Sequence, residues 1–185
     1  NVLKEKLRLA VGNRITDPNY NTAGVNFHAT LFSASGAGAL LDLSSIQTFE
    51  YGVSDQIEWQ YTVSATGGAT IDLSGVTTLQ SRTLTRADLT FDLSAGNSIL
   101  LDNLTSILAL GDNRSDTVNF SVNDGQQALP ALVTAQRLRI QDFLPGGSGS
   151  VTAPQLAGMT DYSLLDVANG GTFHAPLLTD INTMD

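Results

Sequence analysis

Asp42 and Asp72 stand in matching surroundings, Leu41-Asp-Leu43 and Ile71-Asp-Leu73. A carboxylate repeated at one position of a coiled stack is a way to hold calcium between coils. The later members of the same column are Leu100, Thr152 and His174, so the column stops after two carboxylates and reads as outward, solvated aspartate. A second set of oxygens lies in Gly111-Asp112-Asn113-Arg114-Ser115-Asp116. Asp112 and Asp116 are the candidate metal ligands there, and calcium is the ion such oxygens would take. The loop lacks a third carboxylate and a distal Glu, and Arg114 opposes a cation, so an Asx-rich turn without a cofactor is expected.

The other chemistry-bearing group is aromatic. Trp59 and Tyr61, with Tyr51 shortly before them, form a cluster suited to stacking on a sugar ring. Their period-2 parity with Ile57 and Val63 directs them to a core, unless the wide coil that carries them overhangs and bares the rings. Thr48, Thr78, Ser106 and Thr134 share one repeat position, and regular threonine ranks on a flat β-face are the pattern of an ice or crystal binder. The adjacent rank reads Gln47, Thr77, Thr105, Val133, Ala157, Thr179, which is irregular; threonine is also a good exposed strand residue. His28 and His174 both fall at outward positions. No serine has a nucleophile setting, and Gly36-Ala-Gly38 is a corner rather than a phosphate loop. Polysaccharide-cleaving β-helices need acids clustered with Lys or Arg, which the coils lack, so a non-catalytic chain is expected.

The elements that would position these residues come from a repeat. The nine-residue pattern apolar-x-apolar-x-x-apolar-x-x-apolar is clearest in Ile71, Leu73, Val76, Leu79. It returns as Leu41, Leu43, Ile46, Phe49, then as Ile99, Leu101, Leu104, Ile107. Val151, Ala153, Leu156, Met159 and Phe173, Ala175, Leu178, Ile181 follow, with a degenerate copy at Leu129, Leu132, Ala135. The third apolar positions fall at 46, 76, 104, 132, 156 and 178, which predicts about six coils tapering from 30 to 22 residues. Each copy is preceded by a segment of period-2 alternation, such as Ala87, Leu89, Phe91, Leu93, and by a glycine corner. A coil of about 22 residues at roughly 3.3 Å each has a perimeter near 70 Å, which suits a three-sided β-coil. No segment shows helical periodicity. The fold class expected is all-β, a parallel β-helix or β-solenoid; a leucine-rich-repeat solenoid is the alternative.

Composition narrows the function. The net charge is −9, and beyond residue 24 there are 16 acidic against 5 basic residues, a surface that repels a phosphate backbone and excludes nucleic acid. Fifteen of the acids are Asp, which favours turns over helices. There are no cysteines, so disulfides and thiolate metal sites are excluded. No apolar run approaches the roughly 20 residues of a membrane span. Residues 1–24 carry Lys4, Lys6, Arg8 and Arg14 and read as a lead-in or cap, and 25–185 as solenoid. The start at Asn1 and the absence of a visible cap after Ile181 predict a piece of a longer protein with further coils.

The units Leu129-Pro130-Ala-Leu132, Ala153-Pro154-Gln-Leu156 and Ala175-Pro176-Leu-Leu178, with a Gly-Gly before the last, resemble the parallel β-solenoid repeats of large bacterial secreted and cell-surface proteins. The resemblance implies an extracellular scaffold or adhesin and transfers no functional residue. Two functions follow as expectations. One is a structural or adhesive segment whose partners are neighbouring repeats, as a monomer or associated end to end. The other is a carbohydrate-binding module that takes polysaccharide on Trp59, Tyr61 and Tyr51.

Overall fold

The computed structural model describes residues 27–52, 59–81, 87–109, 116–141 and 147–182. The expected lead-in over 1–24 lies outside them. Eighteen strands make three faces. The long face holds β1 (Phe27–Ser35), β4 (Trp59–Thr66), β7 (Ala87–Ser94), β10 (Thr117–Asn123), β13 (Leu138–Gln141) and β16 (Leu164–Leu165) in that order. The middle face holds β2 (Leu40–Asp42), β5 (Thr70–Asp72) and β8 (Ser98–Leu100), then separately β11 (Gln126–Ala128), β14 (Ser150–Thr152) and β17 (Thr172–His174). The third face holds β3 (Thr48–Tyr51), β6 (Thr78–Ser81), β9 (Ser106–Ala109), β12 (Thr134–Gln136), β15 (Gly158–Thr160) and β18 (Asp180–Ile181). Every ladder is parallel. The chain is an all-β parallel solenoid, and no helix occurs among the described residues, which removes the leucine-rich-repeat alternative.

Six strand triplets do not make six equivalent coils. Among the described residues, only the second to fifth are walled by a neighbour on both sides, so about four turns are enclosed. The last triplet is shallow: β16 and β18 have two residues each, and Ile181 is 52% exposed in a column where Met159 is fully buried.

The nine-residue pattern has a simple physical origin. Its first apolar residue is the middle of a short strand and its second follows that strand, and the x-x pair is a β-turn closed by a hydrogen bond from residue i+3 to residue i. The bond recurs in all six copies: Ile46 N–H donates to Leu43 O at 3.0 Å, Val76 to Leu73 at 2.9 Å, Leu104 to Leu101 at 3.1 Å, Leu132 to Leu129 at 3.3 Å, Leu156 to Ala153 at 3.1 Å and Leu178 to Ala175 at 3.1 Å. The turn aims the third apolar side chain inward and starts the third strand. On that strand Thr48 faces Thr78, then Ser106, Thr134, Gly158 and Asp180, offsets of 30, 28, 28, 24 and 22 residues. The inward residues make one core running the length of the stack, from Phe32 and Phe49 through Ile71, Leu101 and Phe120 to Leu156 and Met159.

The largest step of the taper, from 28 to 24 residues, is located where the third strand returns to the long face. Seven residues make that link after β3, five after β6 and seven after β9, but one after β12 and three after β15. The single-residue link is Arg137, held at φ +53 and buried. Its N–H donates to Thr160 O at 3.1 Å and its carbonyl accepts from Val118 N–H at 3.2 Å. The backbone therefore ties the fourth coil to the fifth at a conformation that bulky side chains rarely adopt.

Candidate functional site

The aspartate pair comes together as expected, with Asp42 opposite Asp72 and Leu100 next in the column. Each carboxylate is used locally. Asp42 Oδ1 accepts Ser44 N–H at 3.0 Å and Ser44 Oγ–H at 2.7 Å, and Asp72 Oδ1 accepts Ser74 N–H at 2.9 Å. The Ser44 bonds hold the Asp42 carboxyl below its ordinary pKa. These Asx turns pin the chain as it enters the β-turn.

Asp116 is fully buried, and its Oδ1 accepts the buried Ala87 N–H at 2.9 Å across 29 residues of chain. Asp112 lies outside the described residues. Around Asp116 a polar corner runs up the stack beside the hydrophobic core. Thr117 Oγ donates to Asp88, both buried, and Arg137 Nε pairs with Asp161 Oδ2 at 3.1 Å. Tyr51, 2% exposed, has its phenol pushed far above the ordinary range, first by burial, then by the carboxylates of Asp116 and Asp88, with Arg137 opposing. Asp88, Asp116 and Arg137 thus share one neighbourhood with the Tyr51 phenol. Sequence reasoning missed this corner because its members sit at the link ends, where no repeat position marks them. Among the described residues no group of three or more His, Asp or Glu is placed to hold a metal ion.

The aromatic pair is parallel: the Trp59 and Tyr61 ring centroids are 5.8 Å apart and their planes differ by 3°. Tyr61 is 5% exposed and Tyr51 2%, so both rings belong to the core, while Trp59 is half-buried and packs against it. Their parity with Val63 sets this, as the alternation along β4 requires. Thr48, Thr78, Ser106 and Thr134 line up on the third face. In the next rank, Thr77 Oγ donates to Gln47 O at 3.1 Å and Thr105 Oγ to Thr77 O at 3.0 Å, so these hydroxyls stitch one coil to the next. His28 and His174 are exposed.

The middle face breaks once. Between successive coils two bonds recur at its ends. Leu43, Leu73, Leu129 and Ala153 N–H donate to Asp72, Leu100, Thr152 and His174 O at 2.8, 3.0, 2.8 and 2.9 Å. Thr70, Ser98, Ser150 and Thr172 N–H donate to Ala39, Ala69, Gly125 and Gly149 O at 2.8, 3.1, 2.9 and 3.0 Å. The member joining the third coil to the fourth is missing from both series. In its place lies the Gln127 side chain, 2% exposed, whose Nε2 donates to Ile99 O at 3.2 Å and to Ala128 O at 2.8 Å. Gln127 occupies the column of Leu41, Ile71, Ile99, Val151 and Phe173, the position left vacant in the degenerate repeat copy. The signal was therefore present in the sequence, as the one polar residue of an apolar column.

Against family models, curated proteins and solved structures, the chain finds no match.

Proposed function

We propose that the chain is a non-catalytic structural or adhesive segment of a bacterial surface or secreted protein, a stiff spacer whose partners are further repeats or the polymer it adheres to. The observation that supports this is continuity. One hydrophobic core passes through every triplet, and two of the three faces keep their ladders across all six strands. Each coil gains its stability from its neighbours, so the stack behaves as one elastic body rather than as a frame around a pocket. The chain's side-chain hydrogen bonds serve the same end, because those of Thr77, Thr105 and Asn103 join one coil to the previous one.

Single-molecule pulling tests the reading. The rod should resist and then give way in coil-sized steps, each releasing 22 to 30 residues, or roughly 80 to 100 Å of chain. Opening of the whole chain in one weak event would count against a spacer, and saturable turnover of any polysaccharide would end the non-catalytic reading. A second reading, a carbohydrate-binding module, rests on the half-buried Trp59 alone, since Tyr61 and Tyr51 lie in the core. Pull-down on insoluble polysaccharides with Trp59 emission as readout tests that reading separately.

A further inference from the structure

The break between β8 and β11 opens a cleft of about 500 Å³ on the flank of the stack. Asn97, Ser98, Asp124, Gln126, Gln127 and Ser150 line it. No backbone hydrogen bond joins β8 to β11, so the Gln126 N–H and the Asn97 carbonyl, whose counterparts bond in every other coil pair, form no bond to each other. Gln127 adds a second unusual group. Its Nε2 is doubly used, but its Oε1 is buried and has no hydrogen-bond partner, so an acceptor stands unused at the floor of the break.

The lining selects among ligand classes. It contains no Lys or Arg and one carboxylate, in a chain of net charge −9, which disfavours an anion. A single carboxylate, whose Oδ1 already accepts Ser148 N–H at 2.8 Å, is too little for a cation such as calcium. A peptide strand does not fit, because one glutamine side chain spans from β11 to Ile99 O of β8. What remains is an uncharged molecule carrying donors and acceptors on adjacent atoms, matched to the hydroxyls of Ser98, Ser150 and Thr152 and the amide of Gln126.

We propose that this cleft binds a neutral saccharide, whose hydroxyls bridge the third and fourth coils where the ladder does not. The site is independent of the Trp59 pair and of the spacer reading: a rod without this site remains a rod. Without an aromatic platform the affinity is weak, on the order of millimolar.

The test is a titration of the isotope-labelled chain with cellotetraose, xylotetraose and maltotetraose, read by amide chemical shifts. At least one probe should move the amides of Ser98, Gln126 and Ser150 together and leave those of β3 and β6 still. Gln127→Leu restores the apolar column and closes the ladder, so it should raise Tm and abolish those shifts. Ser98→Asn crowds the cleft from its outer side without touching the core, and should weaken binding at least tenfold at unchanged Tm. No shift with any probe at tens of millimolar overturns the proposal. So do shifts centred on Trp59, and so does a folded Ser98→Asn chain that binds as well as the parent.

Discussion

Gly75 tests the stacking geometry most sharply, because repeat comparison and structure disagree about it. It is the second x of a β-turn, and the equivalent residues of the other five coils are Ser45, Asn103, Ala131, Gln155 and Leu177. Five side chains at one repeat position would make Gly75→Ala harmless. The structure gives the opposite answer. A Cβ on Gly75 would lie 1.8 Å from Ser44 O, 2.8 Å from Ile46 O and 2.9 Å from the Ser44 carbonyl carbon. All three atoms are backbone, so no side chain can rotate away.

Relief requires the neighbouring turn to retreat by about 1.5 Å to restore ordinary contact. That turn is held by Ile46 N–H to Leu43 O at 3.0 Å, Leu43 N–H to Asp72 O at 2.8 Å and Ser44 N–H to Asp42 Oδ1 at 3.0 Å. Such a shift stretches at least two of these beyond bonding range, at about 1 kcal/mol each. Residual overpacking adds about 1 to 3 kcal/mol, and the lower backbone entropy of alanine in the unfolded chain returns about 0.5 kcal/mol. Gly75→Ala should therefore destabilise by about 3 kcal/mol. Gly158 is the control: its added Cβ meets nothing within 4 Å, and it sits in β15, where alanine is favoured by about 0.5 to 1 kcal/mol. Urea unfolding followed by circular dichroism resolves the two. With a slope of about 3 kcal/mol per molar, the midpoint of Gly75→Ala should fall by about 1 M while that of Gly158→Ala holds or rises. If Gly75→Ala stays within about 1 kcal/mol of Gly158→Ala, the tight approach of the first two coils is wrong.

Leu73→Ala empties a fully buried position and should cost about 2 to 5 kcal/mol, whereas Asp72→Ala removes only its bond to Ser74 N–H and should cost about 1 kcal/mol, both read from unfolding midpoints. Absorbance titration of the tyrosines should show that the Tyr51 phenol stays protonated past the ordinary value near 10, and Tyr51→Phe should remove its late-titrating component. Because the folded pKa is raised, the unfolded chain releases the proton first: stability is intact below about pH 10 and falls above it by at most about 1.4 kcal/mol per pH unit. Asp116→Asn should let the Tyr51 phenol ionise more readily, since its carboxylate adds to the upward push, and Asp116→Ala should cost about 2 kcal/mol by leaving the Ala87 N–H without its acceptor.

The stack was legible because a β-turn imposes a spacing that strand periodicity alone lacks. Leu73-x-x-Val76 and its five counterparts encode that turn directly, and the third-face register follows from it. Parity along β4 also placed Tyr61 inward before any contact was known. Two kinds of residue stayed hidden. Asp116 stands in a run of Asp, Asn and Ser that reads as solvated turn, and its burial depends on an amide 29 residues away. Arg137 carries no glycine or proline signal, yet it alone turns the chain between two faces, because Arg–Asp161 pairing and two backbone bonds compensate its left-handed conformation.

Two features coincide at the break in the middle face, and the first coils separate them. The corner before β11 has two residues, Asp124 and Gly125, against three before β8, so the long-face offset of 29 meets a middle-face step one residue shorter. Gly125 is pressed on Leu93, where a Cβ would come within 3.1 Å of backbone, and the corner cannot slide to recover register. Yet a one-residue difference also separates the corners before β2 and β5, which have four and three residues, and there the ladder Leu40–Thr70, Leu41–Ile71, Asp42–Asp72 is intact. That mismatch is taken up by a bulge between Thr30 and Phe32 and by glycines at φ +99 and +73. The larger mismatch between the fourth and fifth coils, an offset of 20 on the long face against 24 on the other two, also leaves its ladders whole, because the residues between β13 and β14 absorb it. Unequal coils alone therefore do not open a face. What distinguishes the β8–β11 junction is Gln127, which presents an amide where every other coil presents a hydrocarbon and claims the Ile99 and Ala128 carbonyls for itself. The column, rather than the corner, decides whether the face closes.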